Sequence, residues 1–271
     1  MDLEIGIDGL IERCQRQLVA AWTARIRATE AAVGDRFGFS IGQRQPTTWI
    51  FADGWPAVAD QLPFNRVFGY VAPDPGMADP LLQQVIDAGR DAVIEVVPGS
   101  HSAHAEDVLR SYGFTPRWQI LWLRHNLTQF VPLSSPQPTK QVAPEAWPEF
   151  ATLYAAAYGY AGSVASAWRT LAEHGYTDPG FTCFVVEVGH TSAAFGVMFK
   201  QGAMALIDGA ATLPQCRGLG FQKALFAARL QHARAQGCSL AWSRTGLGSI
   251  SQRNMQKLGM SIFGQSTAWR R

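Results

Sequence analysis

Met204–Phe263, MALIDGAATLPQCRGLGFQKALFAARLQHARAQGCSLAWSRTGLGSISQRNMQKLGMSIF, is the stretch around which the rest of the chain is read. Met204 to Leu213 is an apolar run with little alternation, which predicts a strand buried on both faces. It stops at Pro214 and enters the turn Gln-Cys-Arg-Gly-Leu-Gly. A helix follows at once, with Phe221, Ala224, Leu225 and Ala228 on one side and Gly237 as its stop signal. A short strand is expected over Cys238–Trp242, with Leu240 and Trp242 facing one way. A second helix opens at Ser249, where Ser-Ile-Ser-Gln reads as a capping box, and runs to Gly259.

A glycine loop between a strand and a helix N-terminus is an anion site made of backbone. The first turn has N–H groups without intrahelical partners, and the helix dipole favours negative charge there. Gly218 and Gly220 let the main chain approach a phosphate without a Cβ in the way, and Arg217 adds a permanent cation. The plainer reading is glycine used as punctuation at a helix start. What weighs against it is context: strand, proline, loop, helix, strand and a terminal Lys-Leu-Gly-Met arrive in one order.

These residues resemble the GNAT superfamily, N-acyltransferases that use acyl-coenzyme A. The family's V-x-P-x-x-R-G-x-G-x-G/A run is matched by Thr212, Pro214, Arg217, Gly218 and Gly220, with Gln222 in place of the final small residue. Its closing Y-x-K-L-G-F is matched by Lys257, Leu258 and Gly259, with Met260 for the Phe and Met255 for the Tyr. The family often uses that tyrosine as general acid toward the leaving thiolate. The resemblance implies acetyl-CoA as co-substrate, held by Ala210, Ala211, Thr212, Arg217, Gly218, Leu219, Gly220, Phe221, Gln222 and Asn254. It also implies that the Asp208–Thr212 backbone pairs with the pantetheine arm as a false strand.

Composition bounds the other possibilities. The chain has 271 residues, long enough for one large or two modest domains, and 47% hydrophobic against 16% charged residues describes a globular protein with a substantial core. A net charge of +2 is too small to imply a nucleic-acid or membrane partner. Cys14, Cys183, Cys216 and Cys238 show no CxxC spacing, so no metal site or disulfide framework is expected. Reduced thiols and an N-terminus without a long apolar run read as cytoplasmic. No stretch approaches the ~20 apolar residues of a membrane span.

Read from its start, the chain opens with a helix on which Ile7, Leu10, Ile11, Cys14, Leu18, Trp22 and Ile26 fall near a 3.6-residue period. It is expected to pack on the following domain or on a second subunit, as in a homodimer. Thr47–Ala52 and Arg66–Val71 read as strands, Pro80–Ala88 as a helix, Ala92–Val97 as a strand, Ala103–Ser111 as a helix and Trp118–Arg124 as a strand. That order, with Gly89 to Phe114 spaced much as Gly237 to Met260, suggests an internal duplication. In the first copy Pro73-Asp74-Pro75-Gly76 stands where the glycine loop would be, and two prolines remove two N–H donors. NRVFGYV and SYGF resemble the degenerate first domain of tandem GNAT proteins.

The expected fold is therefore α+β in α/β/α layers: two tandem GNAT-like domains, each a mixed, mostly antiparallel sheet flanked by helices. Residues 1–131 form the first with its leading helix, the proline-rich 132–139 a linker, and 140–271 the second, with the acyl-CoA site. The second opens with helices bearing Trp147, Phe150, Leu153, Tyr154 and Ala157, then Val164, Trp168 and Leu171. Strands Phe181–Val188 and Ala193–Lys200 follow. By the resemblance, Tyr158, Tyr160, His174 and Tyr176 form an acceptor wall.

Acyl transfer to an amine needs a base and tolerates a thiolate leaving group. Asp208, Glu187 and His174 are candidate bases, Asp208 foremost. Ser251, one turn before Met255, is placed to donate a hydrogen bond in the missing acid's stead. Cys216 is more readily a loop residue than a nucleophile, since the family transfers directly in a ternary complex. The favoured function is N-acetyl (acyl) transfer from acetyl-CoA to the amine of a small-molecule or amino-acid-like acceptor. A non-catalytic acyl-CoA-binding or regulatory protein, and a structural tandem domain, stay open as alternatives.

Overall fold

The structure, a computed structural model, describes residues 6–56, 64–97, 99, 102–130 and 137–271. The expected linker lies outside the described residues through 136. Helix α1 spans Ile7–Val33 and stops at Gly34, whose φ of 67° ends the helix while its N–H bonds Glu30 O. Leu10, Ile11, Cys14, Leu18, Ala21 and Ile26 form its buried stripe, and Gln17 and Arg25 lie buried on the same face. The first half continues through β1 (Phe39–Arg44), β2 (Thr47–Ala52), β3 (Arg66–Phe68), α2 (Pro80–Asp87), β4 (Val93–Val96), α3 (Ser102–Ser111) and β5 (Thr115–Asn126). The second comprises β6 (Lys140–Gln141), α4 (Trp147–Tyr158), α5 (Gly162–His174), β7 (Phe181–Val188), β8 (Thr191–Gln201), β9 (Met204–Thr212), α6 (Phe221–Ala235), β10 (Leu240–Gly246), α7 (Ile250–Lys257) and β11 (Ser261–Arg270).

Strand β1, a half-exposed edge strand, was not expected: Phe37, Phe39 and Ile41 alternate, but over a short run interrupted by Gly38 and Gly42. β3 is shorter than expected because Gly69, at φ 59°, turns the chain away after Phe68. The described strands join in one sheet, ordered β1-β2-β3-β4-β11-β5-β10-β9-β8-β7-β6. The two expected sheets are thus fused. Closing strand β5 of the first half lies between β10 and β11, and closing strand β11 of the second lies between β4 and β5. The supersecondary order repeats: a parallel pair around a helix (β3:β4 around α2, β9:β10 around α6), then a helix and a closing antiparallel strand.

Polar and aromatic groups lock this seam. Trp122 of β5 stacks on Trp242 of β10, with centroids 5.5 Å apart, and donates from Nε1 to Ser266 Oγ of β11 at 3.0 Å. Ser266 in turn donates to buried Glu95 of β4, which also pairs with Arg244 of β10. Four strands therefore share one buried network. Such a network specifies register, because any slip leaves a charge unpaired in low dielectric.

Helices cover both faces. Met204 and Leu206 pack toward α1, α4 and α5, while Ala205 and Ile207 pack toward α6 and α7, which explains the missing alternation. Gln17 of α1 anchors the first of these layers by donating to Met204 O at 2.9 Å and accepting from Trp242 Nε1 at 2.5 Å. Among the described residues no helix is long and apolar enough to cross a membrane.

Candidate active site

Parallel strands β9 and β10 pair only from Met204↔Leu240 to Leu206↔Trp242. Beyond that they separate, and an α6 side chain holds the bend. Arg229, buried in α6, donates to Val197 O at 3.2 Å and to Asp208 O at 2.9 Å, beside a register shift between Gly196 and Met198 of β8. Gly196 leaves the room: a Cβ there would stand 2.9 Å from Arg229 Nε. Ser243 Oγ satisfies the freed Ile207 carbonyl at 2.6 Å. The expectation of a strand buried throughout therefore holds for Met204–Ile207, while Asp208–Thr212 are half-buried where the strand leaves its neighbour. β10 likewise runs past the expected Trp242 to Gly246, because β5 pairs with it along its whole length.

The separation opens a cleft of about 660 Å³, lined on the β9 side by Asp208, Gly209 and Ala210. Ala211 packs against the main core, and Thr212 O accepts from Arg217 Nε at 3.4 Å. Gln222 lines the cleft where it meets the start of α6. There Gly218 (φ 82°) and Gly220 (φ 80°) take the left-handed conformations that glycine adopts without strain, and no side chain caps the helix. Among the described residues the amides of Gly218 to Lys223 find no acceptor beyond the turn's own geometry, and Arg217, Gly218, Leu219 and Gly220 are exposed. The arrangement fits a phosphate group: open amides, a helix N-terminus and a guanidinium.

The corresponding helix of the first half is closed. Asp79 caps α2 through Leu81 N at 2.9 Å and Leu82 N at 3.4 Å, is fully buried, and accepts from Tyr70 Oη at 2.7 Å. A side-chain carboxylate already fills the place that Gly220 leaves open.

Helix α7 begins as its sequence suggests, though only half of the expected capping box forms. Ser249 Oγ accepts from Gln252 N at 3.0 Å, but the Gln252 side chain accepts from Gly248 N at 2.7 Å rather than closing on Ser249. Asn254 donates to Gln222, so two residues assigned by resemblance to the coenzyme tie α7 to α6. Phe221 is buried under the loop. Ser251 and Met255 both line the cleft.

On the acceptor side stand Tyr154, Tyr158, Tyr160, Trp168 and Tyr176. His174, expected in this wall, is not among the lining residues; its carbonyl accepts from Thr177. Tyr160 and Trp168 stack at 5.3 Å. Burial pushes the Tyr154, Tyr158 and Tyr176 hydroxyls well up and that of Tyr160 to about 12, so all four remain donors at neutral pH. The Tyr158 hydroxyl reaches the separation itself: a Cβ on Gly209 would lie 3.1 Å from it.

Asp208 is bonded to Arg25 of α1 at 2.6 Å, the guanidinium side chain 3% and the carboxylate side chain 31% exposed. Arg25 sits 4.5 Å from the ring centroids of both Trp22 and Tyr176. Burial pulls the Arg25 pKa down, but Tyr176 and Asp208 outweigh it and hold the cation charged. Glu187 lies outside the cleft and pairs with Lys140 near the sheet edge. Cys216 packs beside the Phe184 and Phe221 cluster. Among the described residues no group of His, Cys, Asp and Glu is arranged to hold a metal.

Arg25 and Arg229 were missed as site residues, yet each leaves a signal. Arg25 falls on the apolar stripe with Leu18 and Trp22, and Arg229 continues Phe221 and Leu225 at four-residue steps. A cation on a buried helix face requires a partner, and here the partners are Asp208 and the bulged backbone.

A mostly antiparallel sheet in which a parallel pair brackets a helix recurs in both halves, and in the second half the pair parts beside an amide-lined helix start. Residues 147–260 match the profile of the acetyltransferase (GNAT) family. The second half is thus a GNAT domain, and the chain has the tandem GNAT fold. It is similar to a GCN5-related N-acetyltransferase from Kribbella flavida (17% identity, 93% of this chain and 95% of that one, TM-score 0.56). A second, from Sphaerobacter thermophilus, shares 17% identity over 84% of this chain and 80% of its own, at TM-score 0.58. A tandem GNAT protein from the clavulanic acid biosynthesis pathway shares 13% over 83% and 78%, at TM-score 0.54. No curated protein matches the chain in sequence.

Proposed function

We propose that the protein is an N-acyltransferase that moves an acetyl group from acetyl-CoA to the amine of a small-molecule or amino-acid-like acceptor. The observation that carries this is the continuity between the open amides of Gly218–Lys223 and the unpaired β9 edge at Asp208–Ala210, joined through Gln222. The loop would hold the pyrophosphate with Arg217, and the freed β9 edge would take the pantetheine arm and polarise the thioester carbonyl. The amine enters beside the tyrosines and attacks directly. Its nitrogen forms the amide bond as the C–S bond breaks, and a thiol pKa near ~8.5 makes thiolate departure feasible without a strong acid.

Asp208 fits the role of acceptor for the ammonium protons, which pass from it to water; Arg25 keeps the carboxylate placed. Ser251, one helical turn before Met255 and lining the same cleft, carries a hydroxyl able to donate a hydrogen bond there. Burial of the Met255 side chain in the α6–α7 core favours the second reading, an acyl-CoA-binding protein without turnover. The deciding experiment is titration with acetyl-CoA followed by thiol release across an amine panel. Arg217→Glu is expected to raise the acetyl-CoA Kd tenfold or more. An unchanged Kd defeats the coenzyme site, and tight binding with no turnover on any amine selects the second reading.

A further inference from the structure

Asp208 of β9 and Arg244 of β10 both line the cleft that opens where these strands part. Each lies two residues beyond the last β9:β10 pair, Leu206↔Trp242, on its own strand. Each is partnered away from the other: Asp208 is held by Arg25 and Arg244 by buried Glu95. Both line the same cleft, so an acidic and a basic group face one space without neutralising each other across it.

The lining also carries guanidinium groups besides Arg244. Arg66 and Arg270 also line it, Arg270 being paired with Asp91, and Asp208 is the one carboxylate among the described lining residues. Burial and then the Arg244 charge bring Arg66 down to about 10, against the pull of Glu95. Arg244 Nε is buried without an acceptor, a donor that a bound anion would satisfy. On the Asp208 side the lining turns aromatic, with Tyr158, Tyr160 and Trp168, surfaces suited to an ammonium and its apolar neighbours.

Resting on the acyltransferase reading, we infer that the acceptor is a zwitterion, an amino acid whose amine lies toward Asp208 and whose carboxylate lies toward Arg244 and Arg66. Guanidinium groups bind carboxylate through paired N–H donors, and a buried site built for that pairing rejects an analogue lacking it. In the reaction the nitrogen lone pair forms the amide bond and the C–S electron pair goes to sulfur. One ammonium proton ends on the thiolate and a second leaves to solvent. The products are an N-acyl amino acid and the free thiol.

The test uses the full chain and matched pairs that differ only in the carboxylate: phenylalanine with phenethylamine, histidine with histamine, lysine with cadaverine. Thiol release from acetyl-CoA gives kcat/KM for each, and binding of N-acetylphenylalanine and N-acetylphenethylamine to coenzyme A-saturated protein is measured by calorimetry. We expect at least one pair in which the amino acid exceeds its amine by tenfold or more, and N-acetylphenylalanine to bind tenfold tighter than its partner. Arg244→Gln removes both preferences; Arg66→Gln, which leaves the Glu95 pair intact, reduces them should the first variant fold poorly. Amines turned over as fast as their amino acids overturn the inference while leaving the acyltransferase reading standing. No turnover, with the carboxylate preference in binding retained and lost in the variants, defeats the acyltransferase reading but supports the anion subsite. Equal or undetectable binding of both N-acetyl probes counts against the subsite itself.

Discussion

Arg25, in the first helix of the chain, and Asp208, where β9 parts from β10, meet at 2.6 Å inside the second half's cleft. The leading helix of the first half thus completes the site of the second. The guanidinium is almost fully buried and stacked between Trp22 and Tyr176, so its charge has little water to turn to.

Removing that carboxylate is expected to cost stability as well as activity. Breaking a fully buried pair costs about 3–5 kcal/mol; with Asp208 31% exposed on its side chain, Asp208→Asn is expected to cost about 2 kcal/mol. Urea unfolding measures this, and a loss below about 0.5 kcal/mol, the range of ordinary surface substitutions, would show that water already screens the pair.

Gly220 and Asp79 occupy matching helix starts, one open and one closed by its own carboxylate. Gly220→Asp should bring the closed state to the start of α6. Aspartate tolerates a φ of 80° better than most residues, and a Cβ there meets nothing within 4 Å. The variant is expected to fold and to lose the thermal shift that acetyl-CoA gives the parent. A retained shift would place the pyrophosphate elsewhere.

Strand exchange makes each half depend on the other. Residues 1–131 alone would lack β11 between β4 and β5, and residues 140–271 alone would lack β5 between β10 and β11. Each piece then exposes unpaired strand edges, which invite aggregation. Expressed separately, the two pieces are expected to be insoluble or to form mixed oligomers; co-expression should restore a soluble one-to-one complex. A soluble, monomeric, cooperatively folding piece of either kind would contradict this dependence.

His232 carries a modest pH dependence. Burial, then Lys200, lowers its pKa, and Gln141 Nε2 lies 3.0 Å from Nδ1, which accepts only in the neutral ring. A depressed folded-state pKa means that the unfolded chain takes up the proton first. The contribution is full above the unfolded value near ~6.5 and declines as pH falls from there toward the folded value. Urea midpoints measured from pH 8 to pH 5 should fall less steeply for His232→Gln than for the parent. Identical slopes would remove His232 from the account.

Much of this was present in local sequence. The open loop before α6 follows from Pro214, Arg217, Gly218 and Gly220 standing between an apolar run and a helix, because amide exposure at a helix start is a local property. β9 announced its burial on two faces by lacking alternation. The capping serine of α7 was legible for the same local reason, whereas its full capping box was not, since Gln252 had a choice between two neighbouring amides.

Sequence alone therefore determined most of the elements, their repetition and the open glycine turn, all governed by contacts within a few residues. Tertiary structure decided that the closing strands exchange places, that Arg25 reaches Asp208 across 183 positions, and that Asp208 and Arg244 line one cleft while each is paired away from the other. Pairings of that kind depend on which partner a buried charge or an open strand edge finds in three dimensions. No local propensity encodes that choice.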